Sequence, residues 1–142
     1  MEATQEFMTD RPVPALDNVS RTFWEATKRG ELLYQECPAC GNRQYYPRAV
    51  CTECLSEPEW RVASGTGTIH TFSVVRQNVA PPFRDWLSYA VAVVDLDEGS
   101  RVQANVVGVP VDDIRIEQRA EVVFADLNDD AALPFWKVVS AA

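Results

Sequence analysis

Cys37-Pro-Ala-Cys40-Gly-Asn-Arg-Gln-Tyr-Tyr-Pro47-Arg48-Ala-Val-Cys51-Thr-Glu-Cys54 is the stretch on which the reading of this chain turns. It holds all four cysteines of the protein, as two Cys-x-x-Cys pairs with ten residues between them. Each pair makes a tight knuckle presenting two thiolates, and a spacer of this length folds back to bring the pairs together, which is what a tetrahedral zinc site of four cysteines requires. Gly41, directly after the first pair, suits the left-handed turn that closes a knuckle. Two disulfides would need an oxidising compartment, and the acidic, polar opening residues 1–10 resemble no secretion signal. A redox pair does not normally come as a matched set that uses every cysteine. An iron site with the same four ligands remains open. Four thiolates fill the coordination sphere and leave no position for water or substrate, so Cys37, Cys40, Cys51 and Cys54 are expected to hold the fold and perform no chemistry.

Upstream, Pro12 and Pro14 mark an extended arm. Asp17 or Asn18 then caps a helix that runs to about Arg29 and stops at Gly30. Val19, Phe23 and Ala26 fall at helical spacing on it, with Trp24 beside them. Phe23 and Trp24 are a large apolar load for three turns, and they either dock on the rest of the chain or meet a partner. Glu31–Glu36 reads as a strand into the first knuckle and Tyr45–Arg48 as the return strand, with Trp60 covering the second knuckle.

Downstream of Ser64 the texture is that of strands. Gly65–Arg76 alternates, is rich in β-branched residues and carries a glycine pair that signals a bend. Tyr89–Leu96 and Arg101–Gly108 form a hairpin around Asp97–Ser100. Ala120–Leu127 and Phe135–Val139 complete about five strands. The expected fold is mainly β: an N-terminal arm and helix over 1–34, a rubredoxin-like four-cysteine zinc ribbon over 35–62 and a five-stranded OB-type barrel over 63–142. His70, in phase with Phe72 and Val74, is expected to be a partly buried core histidine.

Charge excludes more than it assigns. Thirteen Lys and Arg against 21 Asp and Glu give a net charge of −8. The acid excess is present in both halves, so no basic module hides behind an acidic tail. A nucleic-acid binder draws most of its affinity from a basic stripe, and none is evident. No apolar run reaches the ~18 residues of a membrane span, and a cytoplasmic location is expected. With His70 assigned to the core there is no second histidine to serve a hydrolytic triad, and the carboxylates Asp95, Asp97 and Glu98 are explained by a hairpin turn. The loop 76–88 is the best contact candidate. It offers Arg76 and Arg84 as cations and Phe83 and Trp86 as apolar anchors, unless these rings plug the barrel mouth. Arg48, beside the knuckles, is a further cation for a phosphate or a local carboxylate.

The string Phe23-Trp24-Glu-Ala-Thr-Lys-Arg-Gly30-Glu-Leu-Leu-Tyr-Gln35, the two knuckles, Tyr46-Pro47-Arg48 and Val94-Asp95-Leu96-Asp97-Glu98-Gly99 together resemble a known family. It is that of the zinc-ribbon and OB-fold acyl-CoA-associated proteins, and the resemblance covers residues 17–139. It implies a partner of thiolase-fold enzymes, encoded as a small subunit or fused to a larger acyl-CoA enzyme. One group bridges archaeal thiolase and hydroxymethylglutaryl-CoA synthase and contributes to a shared CoA site. Another belongs to a MaoC-like hydratase subunit and supports a thiolase-like aldolase of steroid side-chain degradation. By this resemblance the chain is no enzyme on its own, but a required component of an acyl-CoA lyase, aldolase or acyltransferase complex. Its zinc would be structural, and a CoA thioester would be bound at a site shared with the partner. Arg48, Arg76 and Arg84 would meet the CoA phosphates or the partner, and Phe23, Trp24, Phe83 and Trp86 the partner. The other reading is a single-stranded nucleic-acid binder, since zinc ribbons and OB barrels both serve that role; the net charge speaks against it.

Overall fold

A computed structural model describes residues 11–140. Helix α1 (Arg21–Lys28) begins later than the sequence implied. Asp17 Oδ1 accepts the backbone N–H groups of Val19 (2.9 Å) and Ser20 (2.7 Å), which holds residues 18–20 in a turn ahead of the helix. The other end is as expected. Gly30 takes φ +75°, and the N–H groups of Gly30 and Glu31 return to the carbonyls of Thr27 and Ala26.

The ribbon is a three-stranded antiparallel sheet in the order β2 (Arg43–Gln44), β1 (Leu33–Glu36), β3 (Glu59–Val62). The return strand is therefore Arg43–Gln44 and not Tyr45–Arg48. The physical reason is Gln35, buried in β1, whose amide clamps the spacer at one point. Its Nε2 donates to the Arg48 carbonyl and its Oε1 accepts the Arg48 N–H, both at 3.0 Å. Gln44 Nε2 joins the same oxygen at 2.8 Å. Residues 45–48 are thereby bowed out of the sheet. Trp60 lies opposite Gln35 in β3 and packs against the main core, contrary to a role as a cover for the second knuckle.

Five strands close the barrel: β4 (Thr66–Val75), β5 (Tyr89–Leu96), β6 (Arg101–Val107), β7 (Arg119–Asp126) and β8 (Ala132–Ser140), in the spatial order β4-β5-β6-β8-β7. All contacts are antiparallel except β6 with β8, which pair in parallel for two residue pairs, Val106↔Trp136 and Val107↔Lys137. Short 3-10 turns occur at Phe83–Trp86 and Val111–Asp113. Trp136, Val94, Val102, Ile69 and Ile114 fill the barrel, and the Trp136 indole donates to the Val102 carbonyl at 3.3 Å.

His70 departs from expectation. A β-bulge between Ile69 and Thr71 shifts the register, so Ile69 points inward before it and Phe72 and Val74 inward after it. His70 is the extra residue and stands exposed, with Nδ1 3.4 Å from Asp95 Oδ2, while Arg101 Nε holds Asp95 Oδ1 at 2.7 Å.

Two contacts tie the parts together. Thr27 is fully buried; its hydroxyl accepts the Ala132 N–H at 2.9 Å and donates to the Trp24 carbonyl, fixing α1 to β8. Thr27→Val keeps the shape but leaves the Ala132 N–H buried without this partner. A loss of about 2 kcal/mol is expected from urea unfolding, with the fold unchanged by circular dichroism. Arg43 makes the second link. It pairs with Glu36 at 2.7 Å within the ribbon and donates through Nη1 to the Glu98 carbonyl in the β5–β6 turn. Beside that turn Arg119 grips Asp97 through both oxygens at 2.8 Å, and Thr66 adds a hydroxyl bond. These partners, Arg119 first, hold the Asp97 carboxyl down to about 2. Its contribution is thus present above the ordinary carboxylate range and is lost as pH falls through that value.

Candidate functional site

The four sulfurs lie within 4.8 Å of one another. Cys37 and Cys54 are 3.5 Å apart and Cys40 and Cys51 3.6 Å, close to the ~3.8 Å edge of a tetrahedron with zinc–sulfur bonds of ~2.3 Å and far beyond a disulfide bond. The knuckles are backbone copies of each other. In the first, Gly41 N–H bonds Cys37 O (2.8 Å) and Cys37 N–H bonds Asn42 O (2.8 Å). In the second, Leu55 N–H bonds Cys51 O (3.0 Å) and Cys51 N–H bonds Ser56 O (2.7 Å). Donors around Cys51 favour its thiolate: the backbone N–H groups of Cys54 and Glu53 pull the thiol down to about 6, and Asn42 Nδ2 adds a contact at 3.6 Å. At Cys40 the Asn42 N–H also favours the thiolate, but the sulfurs of Cys54, Cys51 and Cys37 outweigh it and push that thiol up to about 12. Four sulfurs this close share negative charge only around a cation, so the donor set fits a tetrahedral metal ion.

A second feature is a cavity of about 360 Å³ where α1, the ribbon spacer and the β6/β8 edge meet. One wall is a run of rings packed edge to face: Trp24 on Phe23 (5.0 Å), Phe23 on Tyr45 (5.5 Å) and Tyr45 on Tyr46 (5.2 Å). Burial pushes the Tyr45 phenol above its ordinary range. Val91, Leu133 and Pro134 face this wall, with Ser20, Gln103, Asn105 and Arg11 as the polar lining. A second hollow over the outer face of β4, β5 and β6 shares Val91 and Gln103 with it, extending the surface along the barrel.

The residues picked out in the sequence distribute unevenly around this cavity. Phe23 is 4% exposed and belongs to the main core, so it docks the helix on the chain while also forming part of the cavity wall. Trp24 is half-buried and lines the cavity. Phe83 and Trp86 pack on each other at 5.3 Å, and the Arg11 guanidinium covers both, 4.7 Å from the Trp86 ring and 5.9 Å from the Phe83 ring. These rings thus serve the arm first; burial lowers the Arg11 pKa. Arg84 is exposed on the same 3-10 turn. Arg76 pairs with Asp112 at 3.3 Å, and Arg48 is exposed beside Pro47, a cavity residue. Sequence reasoning missed Arg11, Tyr45 and Tyr46 as cavity residues; the Tyr-Tyr-Pro run between the knuckles was the available signal. No helix among the described residues is long and apolar enough to cross a membrane.

Comparison with known proteins follows the two-part architecture. The family model described as the rubredoxin-like zinc ribbon domain of ChsH2 matches residues 24–61, and that of the ChsH2 C-terminal OB-fold domain matches 60–125. A DUF35 domain-containing scaffold protein of Methanothermobacter thermautotrophicus is 33% identical over 78% of this chain and 84% of its own length. A protein of Thermomonospora curvata described as "Probable enoyl-CoA hydratase alpha subunit" is 31% identical over 89% of this chain, which spans only 40% of that relative. Among solved structures, a chain of the Ltp2-ChsH2(DUF35) aldolase superposes with a TM-score of 0.77 at 29% identity, covering 89% of this chain and 98% of that one. A DUF35 protein of unknown function from Sulfolobus solfataricus, 11% identical with a TM-score of 0.63 over 96% of each chain, shares the fold.

Proposed function

We propose, on the premise that this chain belongs to the DUF35 family of zinc-ribbon and OB-fold proteins, that it is a non-catalytic accessory subunit or domain of a thiolase-like acyl-CoA enzyme. The carrying observation is the match to 98% of a chain in a two-protein aldolase. The scaffold description of the archaeal relative points the same way. The metal in the four-cysteine site is zinc, and it stabilises the ribbon. The chain contributes to the partner's acyl-CoA site: the ring-lined cavity receives apolar acyl surface, while Arg48 and Arg84 meet the CoA phosphates, with Arg76 released from Asp112 as a further cation. A β-hydroxyacyl-CoA of steroid side-chain origin is the substrate class that suits the aldolase relative, and a MaoC-like hydratase is a further partner. The cytoplasm is the compartment that suits an acyl-CoA enzyme and a thiolate metal site.

The nucleic-acid reading has little to stand on. The outer face of β4, β5 and β6 carries Thr71, Ser73, Val91, Val93, Gln103 and Asn105, and the cation beside them, Arg101, is held by Asp95 at 2.7 Å, whereas a strand-tracking groove is basic and aromatic. The test is purification with a thiolase-like enzyme and assay of that enzyme's acyl-CoA cleavage with and without this chain. Stable association and higher turnover are expected. An enzyme indifferent on both counts, together with a salt-dependent shift of an oligonucleotide, overturns the reading.

A further inference from the structure

The two knuckles share one backbone but not one residue at the closing position. Gly41 closes the first at φ +78°, and Leu55 closes the second at φ +67°. An L side chain in the left-handed region is strained, and glycine meets the same requirement without that penalty. Leu55 is 73% exposed and belongs to neither hydrophobic cluster, so its side chain recovers little of that strain inside the chain. Val50, which precedes the same knuckle, is 43% exposed. The fold thus carries a strained, protruding apolar side chain directly after a metal ligand, and the benefit lies outside the chain.

We infer that Leu55 is an anchor that enters a socket on the partner enzyme, with Val50 at its edge. Glu53 and Glu57, exposed on either side of it, set the chemistry of that socket: an apolar floor with a rim of Lys and Arg. This rests on the accessory role proposed above and names the surface that performs it. Metal binding then has a second effect. The ligand Cys54 is the residue before Leu55, so coordination fixes the direction in which the anchor points and removes the ordering penalty that a mobile leucine would bring to docking.

The experiment uses the tagged full chain expressed in its native host. The thiolase-fold enzyme that co-purifies is identified by mass spectrometry, produced separately and titrated against variants. Leu55→Gly is expected to keep its metal and to melt no lower than the wild type, yet to bind at least ~10-fold more weakly, as expected for a central anchor. Leu55→Asn, polar and tolerant of the left-handed region, is expected to lose binding equally, so the result does not depend on one variant folding. Leu55→Met retains the affinity, and higher ionic strength slows association across the charged rim. Binding of the Gly and Asn variants within ~2-fold of wild type overturns the anchor while leaving the accessory role standing. A wild-type chain that retains no thiolase-fold enzyme removes both. Loss of a self-associated dimer in Leu55→Gly, with enzyme binding intact, assigns the anchor to a second copy instead.

Discussion

Cys51→Ser protein is expected to lose its metal and, with it, the fold of residues 35–62, leaving insoluble or protease-sensitive material. Cys51 is fully buried, and its sulfur sits 3.6 Å from that of Cys40 amid donors already turned towards a thiolate. A serine hydroxyl is a shorter and far less acidic ligand, and it completes neither the charge nor the geometry of the site. The ribbon has little else to rely on. The apolar groups of β1, Leu33 and Tyr34, belong to the barrel core, and β3 is largely exposed. Metal binding in small zinc modules is worth on the order of 10 kcal/mol, comparable to the whole margin of a typical small domain. Atomic emission gives the metal content, and limited proteolysis should place the first cuts between 35 and 62. Chelation of the wild type should reproduce that pattern before the barrel unfolds. Acidification works in the same direction, since protons compete with the metal for the thiolates. Soluble, folded, metal-free Cys51→Ser protein would falsify the clamp.

The second large effect lies in the barrel. Gly67→Ala is expected to cost about 3 kcal/mol, read as a lower urea midpoint with the slope of the transition unchanged. A methyl group there would press into the Asp95 carbonyl oxygen and lie 2.6 Å from Val94 Cγ1. Val94 has rotamers to offer, but the carbonyl belongs to a strand that is paired on both sides. Gly67 also stands opposite Leu96 of β5 and Ala120 of β7, where β4 closes the barrel. A shift that relieves one contact therefore disturbs two ladders. Gly67→Ala protein within about 0.5 kcal/mol of the wild type, a difference below that of most buried substitutions, argues against this tight crossing.

What the sequence discloses follows from how local each signal is. Tyr89–Leu96 was bounded correctly because one face of that strand is buried along its whole length, which leaves a clean apolar pattern. The strand Glu59–Val62 gave no such signal: it is an edge, with Glu59, Arg61 and Val62 exposed. The bulge at His70 was invisible to periodicity, since a period of two assumes that no residue is inserted. Gln35 offered no warning that it would hold Arg48 by both backbone groups, a contact thirteen residues away. The same contrast holds for the sites. The metal ligands were plain because spacing alone defines a knuckle. The cavity was not, because Arg11, Trp24, Tyr45, Asn105 and Leu133 come from separate segments and meet only once the barrel is closed. Leu55 lay between these cases: the knuckle motif was recognised, and the missing glycine after Cys54 was there to be compared with Gly41.

The parallel contact between β6 and β8 has a mechanical side. Two residue pairs make it the shortest join in the barrel, against eight in β4–β5 and in β7–β8. Ala104 and Asn105 on one strand and Leu133 and Pro134 on the other line the cavity just before those pairs begin. The cavity is thus the crotch of a zip, and whatever fills it acts as a slider that keeps the teeth engaged. Those amide protons of 106–107 and 136–137 that donate across this join should exchange fastest among the barrel ladders in the free protein and slow on occupancy, because a ligand that favours the closed form suppresses local opening. On that result, filling the cavity and the breathing of the barrel would be one equilibrium.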